Sequence, residues 1–242
     1  MTRDTIYTQP LGDVSGFTFN DRVVKVFPDM IERSVPGYQT IISAIGLLAD
    51  KFSQTNSHCY DLGCSLGAAT YAMRSHIQHQ GCRIISVDNS QPMLDGFQKQ
   101  LKQDKENLIQ VDLVCADIRN VEITNASVVV LNFTLQFIPV DDRGPLLKKI
   151  YDGLLPGGIL ILSEKLVYQD PQQHELHIEM HELFKIDNGY SELEVAQKRT
   201  SLENVLIPET LVTHKQRLES AGFQSAEVWF QYFNFASLIA LK

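Results

Sequence analysis

One short stretch near residue 60 constrains the fold more than any other part of the chain. An apolar run at 58–62 contains Asp61 beside its end, Gly63 and Gly67 follow, and small residues then open a helix. The next apolar run also ends in an acid, Asp88. Glycines at such a turn let the backbone approach a ligand, and the second acid accepts hydrogen bonds from ribose hydroxyls. The pattern therefore predicts a doubly wound α/β domain that holds a nucleoside.

The turn also separates two classes of nucleoside ligand. A dinucleotide site needs the spacing G-x-G-x-x-G at the start of a helix that binds a pyrophosphate. Here the spacing is Asp61-x-Gly63-x-x-x-Gly67. A carboxylate beside the loop repels a pyrophosphate and suits a ligand with an amine or a sulfonium. A plain strand–turn–helix connection without a ligand is the alternative, which the combination of turn and second acid disfavours. The motif resembles the S-adenosylmethionine site of Rossmann-like methyltransferases.

Apolar strands alternate with helices along most of the chain. We predict strands at 58–62, 83–88, 111–115, 127–131 and 159–163, and helices at 40–52, 68–78, 91–102 and 141–154. Residues 223–241 are expected to form two antiparallel strands. The prediction is an α/β, Rossmann-like class I methyltransferase fold, with a mostly parallel sheet, a C-terminal antiparallel strand and a helical insertion after strand five. We expect one domain over 1–242, with an N-terminal helical cap at about 1–55. The insertion, at about 168–209, is either a lid or interface over the ligand or a solvated decoration.

Charge and composition narrow the class of partner. The net charge is −8, and basic residues occur only as scattered pairs, so a small-molecule substrate is favoured over direct tRNA binding. The sequence shows no signal peptide and no apolar run of membrane-spanning length. The cysteines, Cys59, Cys64, Cys82 and Cys115, lack metal-type spacing and are expected to be buried reduced thiols of a cytoplasmic protein. His174, His177 and His181 have helical spacing but no other ligand-type residues around them, so no metal is expected.

Polar residues follow several predicted strands, and strand carboxyl ends form the ligand crevice of such sheets. Asp117, with the backbone of Ile118, suits an adenine amino group and ring nitrogen, and Asn132 suits the amino acid end of the cofactor. Their alternatives are a helix or turn cap and a strand-end turn residue, respectively. Tyr38, after a Pro-Gly turn, either reaches the same end of the cofactor or anchors a helix as a half-buried tyrosine.

Segments spread over nearly the whole chain resemble the carboxy-S-adenosylmethionine synthase family. The matching segments are 26–31, 34–38, 60–70, 131–137, 162–165, 188–194 and 197–199, and the Cys-Ser-Leu-Gly-Ala turn at 64–68 is distinctive. The resemblance implies binding of S-adenosyl-L-methionine, without a metal. The cofactor contacts are then Tyr38, Gly63, Cys64, Ser65, Asp88, Asn89, Asp117, Ile118, Asn132 and Arg199. It further implies a cytoplasmic homodimer.

The family carboxylates the methyl group of S-adenosyl-L-methionine instead of transferring it. The resemblance implies prephenate as the source of carbon dioxide, phenylpyruvate as the by-product, and a carboxylated product used by a separate enzyme to make 5-oxyacetyl-uridine at the tRNA wobble position. Arg199 is assigned to the new carboxylate, because a guanidinium offers two parallel donors; alone, it would be interpreted as a surface arginine. No dedicated general base stands out. A conventional methyltransferase acting on tRNA or a small acid is the main alternative, and an inactive adenosyl-binding module is the other.

Overall fold

The computed structural model describes residues 2–12, 16–104 and 109–242. Seven strands in this part of the chain form one sheet, in the order β3-β2-β1-β4-β5-β7-β6. Their bounds are β1 His58–Leu62, β2 Arg83–Asp88, β3 Gln110–Cys115, β4 Ala126–Asn132, β5 Leu154–Lys165, β6 Ser225–Tyr232 and β7 Phe235–Leu241. The first five strands are parallel, and β7 pairs antiparallel with β5 and β6. The predicted α/β class, with its antiparallel C-terminal pair, is confirmed.

The central strands are buried on both faces, which explains their continuous apolar sequence. In β4, Val128 and Val130 pack into the core on one face, whereas Val129 and Leu131 pack into the core on the other. The strand order reverses between β1 and β4, which are hydrogen-bonded neighbours although the chain passes through β2 and β3 between them. A reversal of this kind opens a crevice beyond the carboxyl ends of the strands.

Helices cover both faces of the sheet and the crevice. Their bounds are α1 Asp21–Ser34, α2 Tyr38–Phe52, α3 Ala68–His76, α4 Gln91–Leu101, α5 Val140–Gly153, α6 Pro171–Asp187, α7 Glu192–Leu202 and α8 Leu211–Ala221. The helices α6 and α7 lie within the segment expected to form the insertion. Helix α7 begins with a capping box, in which Ser191 and Glu194 satisfy each other's backbone N–H groups. Of the expected N-terminal cap, residues 1 and 13–15 lie outside the described residues.

Several details differ from the sequence prediction, and helix α2 begins at Tyr38, two residues earlier than expected. The helix after β1 ends at His76, two residues early. Strand β5 begins at Leu154, although its regular pairing with β4 resumes only at Ile159, after an irregular stretch. Cys59, Cys64 and Cys82 are buried, but Cys115 is exposed, which makes the expectation of a buried thiol wrong there. Cys115 ends β3, an edge strand with neighbours on one side only.

Candidate functional site

A cavity of about 800 Å³ opens at the carboxyl ends of the parallel strands. Its volume falls within the range of roughly 300–1,000 Å³ that is usual for small-molecule sites. All the predicted site residues line it: Tyr38, Gly63, Cys64, Ser65, Asp88, Asn89, Asp117, Ile118, Asn132 and Arg199. The sheet thus gathers residues that are up to 161 positions apart in the sequence, from Tyr38 to Arg199. Their individual contacts to a ligand stay predictions.

Asp88 organises the turn that the sequence singled out. Its Oδ2 accepts a hydrogen bond from the Ser65 backbone N–H at 2.8 Å, and its Oδ1 accepts one from Ser90 at 2.8 Å. Burial raises the pKa of this carboxyl, and the backbone hydrogen bonds oppose the shift. The two carboxylate oxygens together offer about four acceptor positions, so lone pairs remain for ribose hydroxyls beside these backbone hydrogen bonds.

Asp61 is fully buried at the end of β1 and fastens that strand to the helix that follows. Its Oδ2 accepts hydrogen bonds from the Thr70 backbone N–H at 3.0 Å and from Thr70 Oγ1 at 2.6 Å. Burial raises the pKa of Asp61 to about 6, the negative charge of Asp88 adds to the rise, and the Thr70 hydrogen bonds oppose it. A cationic ligand in this cavity would favour the ionised form of Asp61.

The turn between these two acids requires glycine at both of its glycine positions. Gly63 and Gly67 both have φ of +83°, in the left-handed region. A Cβ on Gly63 would overlap the Thr134 side chain, and one on Gly67 would overlap the Phe97 ring. The backbone therefore approaches the cavity closely at Gly63. The adjacent Cys64 thiol is buried, and burial together with the two nearby carboxylates raises its pKa, so it stays protonated.

Asp117 serves as a cap in addition to lining the cavity. Its Oδ1 accepts a hydrogen bond from the Arg119 backbone N–H at 2.9 Å, and its Oδ2 pairs with the Arg119 guanidinium at 2.6 Å. The Arg119 hydrogen bonds hold the pKa of Asp117 below its ordinary value. The cap alternative thus describes part of what Asp117 does. The neighbouring Ile118 is buried and completes this side of the cavity.

Asn132, at the end of β4, carries an unsatisfied acceptor. Its Oδ1 is buried, and within the described ranges it has no hydrogen-bond partner. A buried carbonyl oxygen without a donor is costly, so this atom is placed to accept from a ligand N–H. Tyr38, the first residue of α2, lines the same cavity, and burial, with the charges of Asp61 and Glu32, raises its pKa. We expect its phenol to stay neutral.

Aromatic side chains from the N-terminal segment line part of the cavity wall. Phe19 makes edge contacts with Phe17, Phe27 and Phe137, with ring centroids 5.0, 6.0 and 5.7 Å away. The Phe19 carbonyl accepts a hydrogen bond from Ser90 Oγ at 2.6 Å, which ties the segment to the start of α4. This wall excludes water from one side of the site.

The opposite side of the cavity is basic, and the sequence analysis had assigned a role there only to Arg199. We call Lys165, Lys185, Lys198 and Arg199 the basic end; all four line the cavity. Arg199 is 64% exposed and pairs through Nη1 with Glu182 Oε1 at 3.1 Å. Lys198 is buried and donates to Ser34 Oγ at 2.8 Å. The available sequence signal was Lys165, the charged residue that ends β5, whereas nothing in the spacing marks Lys185.

Two of the three histidines of α6 have separate side-chain partners. His177 stacks on Tyr168, with ring centroids 4.3 Å apart, and His181 Nε2 lies 2.8 Å from the Ser34 carbonyl oxygen. Among the residues that the structure describes, no three His, Cys, Asp or Glu side chains are grouped as metal ligands. None of the described helices is both long and apolar enough to cross a bilayer.

Comparison with known proteins gives the class and then the family. A methyltransferase domain model matches residues 60–158. Human N-acetylserotonin methyltransferase, solved with S-adenosylmethionine, superposes with a TM-score of 0.60 at 18% identity, covering 92% of this chain and 55% of that one. The plantazolicin methyltransferase superposes with a TM-score of 0.64 at 12% identity, covering 93% and 91%. Fold and site thus define a Rossmann-like class I methyltransferase domain.

Full-length relatives are more specific. The carboxy-S-adenosyl-L-methionine synthase of Geobacter sp. (strain M21) is 58% identical over 100% of both chains. The synthase of Vibrio cholerae serotype O1 (strain ATCC 39541) is 57% identical over 99% of this chain and 97% of its own. The chain belongs to the carboxy-S-adenosyl-L-methionine synthase family, so the family resemblance is confirmed.

Proposed function

We propose that the protein converts S-adenosyl-L-methionine and prephenate into carboxy-S-adenosyl-L-methionine and phenylpyruvate. The observation that carries this proposal is one cavity whose lining holds both the carboxylates of Asp61, Asp88 and Asp117 and the four cations of the basic end. The acidic end, formed by Asp61, Asp88 and Asp117, suits the ribose and the positive charges of the cofactor. The basic end suits an organic acid. A conventional methyltransferase has no need for cations beside the transferred methyl group.

The proposed reaction balances without a protein base. Prephenate becomes aromatic as it loses carbon dioxide and its ring hydroxyl, leaving phenylpyruvate. The hydroxide takes a proton from the S-methyl group and becomes water. The carbanion, stabilised by the adjacent sulfonium, attacks the carbon dioxide and forms the carboxymethyl group. The protein's part is to hold both substrates in near-attack geometry and to keep carbon dioxide from escaping. The aromatic wall of Phe17, Phe19 and Phe27 supports that exclusion.

The proposal is tested by mass spectrometry of the cofactor after incubation with S-adenosyl-L-methionine and prephenate. We expect a species heavier than the parent cofactor by one carboxyl group, appearing together with phenylpyruvate. Reactions without prephenate, and with tRNA in its place, are the controls. Methylated tRNA without a carboxylated cofactor would establish the conventional methyltransferase instead.

Cofactor affinity is expected to fall as the pH is lowered through about 6, the pKa to which burial raises Asp61. Above that pH the carboxylate is ionised and attracts the cationic cofactor, whereas below it the group is protonated and neutral. The uptake of one proton gives a loss of about tenfold between pH 7.5 and pH 5. Calorimetric titration at several pH values measures this loss. In Asp61→Asn, the change of cofactor affinity with pH should shrink to what the neighbouring Asp88 contributes. A wild-type affinity that does not change with pH would contradict the role given to Asp61.

We further propose that the protein acts in the cytoplasm as a homodimer and supplies a separate tRNA-modifying enzyme that makes 5-oxyacetyl-uridine at the wobble position. Leu176, Leu183 and Ile186 lie along α6 with exposed apolar side chains, which supports self-association through this helix. The buried free thiols of Cys59, Cys64 and Cys82 are in keeping with a reducing compartment. The net charge of −8 favours a protein that releases a small-molecule product over one that binds tRNA directly.

A further inference from the structure

The basic end of the cavity holds more positive charge than the protein neutralises. Arg199 has Glu182 as its ion-pair partner. The Lys198 ammonium donates to Ser34 Oγ and lies 5.5 Å from the centre of the Tyr190 ring. Tyr190 in turn donates to Asp4 Oδ2 at 2.6 Å; burial lowers the pKa of Lys198 to about 7, and the negative charge of Asp4 opposes that shift. These two cations are therefore supported from within the fold.

Lys165 and Lys185 lack comparable support. Lys185, near the end of α6, is 7% exposed, and Lys165 is partly buried at the end of β5. In residues 2–12, 16–104 and 109–242, neither ammonium has a hydrogen bond or an ion pair; Lys165 has only the Phe235 ring, 5.9 Å from Nζ. The Glu182 carboxylate opposes the lowering of both lysine pKa values, but it is already paired with Arg199, and burying two ammonium groups without ion-pair partners of their own is expensive. Both side chains line the cavity, so a ligand there can supply the missing negative charge.

The two lysines are also close enough to repel each other. Burial and the positive charge of Lys165 lower the pKa of Lys185 to about 8. Burial and the charge of Arg199 lower the pKa of Lys165. A carboxylate between these groups would relieve the repulsion and restore full protonation. Mutually repelling cations at a cavity wall are thus arranged to bind an anion.

The register of the sheet places Lys165 near Asn132, at the carboxyl ends of two neighbouring strands. Asn132 of β4 pairs with Ser163 of β5, and Lys165 follows two residues further along β5. The unsatisfied Asn132 oxygen and Lys165 therefore belong to adjacent strand ends. Arg199 reaches the same region from α7, and its exposed guanidinium keeps donors beyond the one engaged by Glu182.

We propose that Lys165 and Lys185 bind the carboxylate that the acidic second substrate keeps, while Arg199 binds the carboxylate that is transferred. This inference rests on the proposed function and assigns the two acidic groups of the donor to separate cations. It makes the lysine pair specificity-determining for a dicarboxylic donor. Phenylpyruvate keeps only the carboxylate assigned to the lysines, so its binding depends on them. Binding of carboxy-S-adenosyl-L-methionine does not.

Lys165→Met and Lys185→Met test the proposal, since methionine keeps an unbranched apolar side chain and removes the charge. We expect each to raise the KM for prephenate by about tenfold or more, because hydrogen bonds to charged groups are among the strongest in binding. The calorimetric Kd for phenylpyruvate should rise in parallel. The affinity for S-adenosyl-L-methionine and the Tm should stay close to wild type. Lys165→Arg and Lys185→Arg should recover part of the loss.

Lys148→Met is the matched control, because Lys148 is an exposed lysine of α5 that pairs with Asp152. It should leave every parameter unchanged. The lysine assignment alone would be overturned if the wild-type enzyme makes the carboxylated cofactor but both methionine variants bind prephenate and phenylpyruvate as tightly as the wild type. Equal weakening of cofactor and phenylpyruvate binding would also overturn it, since the lysines would then only support the fold. A wild-type enzyme that gives no carboxylated cofactor from prephenate would overturn the proposed function along with it.

Discussion

Arg199→Ala is expected to weaken binding of carboxy-S-adenosyl-L-methionine by about tenfold to a hundredfold while leaving S-adenosyl-L-methionine affinity nearly intact. The carboxylated cofactor carries an anion at the methyl position that the parent lacks, and a charge-assisted hydrogen-bonded pair is worth about 1.5–3 kcal/mol. Arg199 lines the cavity from α7, and its exposed guanidinium uses one of its N–H groups to pair with Glu182. Calorimetric titration of one variant with the two ligands measures the difference directly.

The remaining variants separate a ligand contact from a structural role. Arg199→Lys should recover only part of the affinity, because an ammonium cannot engage both carboxylate oxygens in parallel. Arg83→Ala is the matched control, since Arg83 is a partly exposed arginine that pairs with Asp112 of β3 and does not line the cavity. Equal weakening for both cofactors would mean that Arg199 supports the wall of the site. Unchanged affinity for both cofactors would mean that Arg199 is a surface residue without a ligand contact.

The sheet was predictable because its strands satisfy two local rules at once. Strands β1, β2 and β4 are apolar runs with a polar residue at the last or next-to-last position. Burial on both faces imposes the first property, and the ligand crevice imposes the second. The start of β5 was less predictable, because its pairing with β4 is irregular before Ile159. The exposure of Cys115 depends on which strand lies at the edge of the sheet, and that follows from strand order, which the run itself does not encode.

The acidic end of the cavity was predictable for the same reason as the sheet. Asp61, Asp88 and Asp117 each lie at or just beyond the carboxyl end of a strand, and the carboxyl ends of parallel strands meet at one edge. The basic end of the cavity was not predictable in this way. Lys185 enters the cavity only because of how α6 packs over the crevice, and a polar helix gives little indication of which face it buries. The unsatisfied oxygen of Asn132 is likewise a property of its three-dimensional surroundings.

Asp88→Ala is expected to weaken S-adenosyl-L-methionine binding by about tenfold to a hundredfold, since it removes hydrogen bonds to the ribose worth about 1.5–3 kcal/mol. The structure adds a second cause. Asp88 also accepts the backbone N–H groups of Ser65 and Ser90, so its loss loosens the turn that approaches the ligand. Calorimetry measures the affinity, and the Tm, with and without cofactor, shows whether the variant remains folded.

Asp88→Asn separates the two causes of that loss. An asparagine keeps one oxygen, which can accept the Ser65 N–H, but its amide nitrogen can accept neither the Ser90 N–H nor a ribose hydroxyl, so half of the turn's support remains. If ribose recognition dominates, the asparagine variant should lose nearly as much affinity as the alanine variant while its Tm stays closer to wild type. If the turn dominates, affinity and Tm should recover together. Asp112→Ala, which removes an exposed carboxylate of β3 paired with Arg83, should change neither. Unchanged affinity in a folded Asp88→Ala protein would remove Asp88 from the site, and with it the ribose contact on which the motif was interpreted.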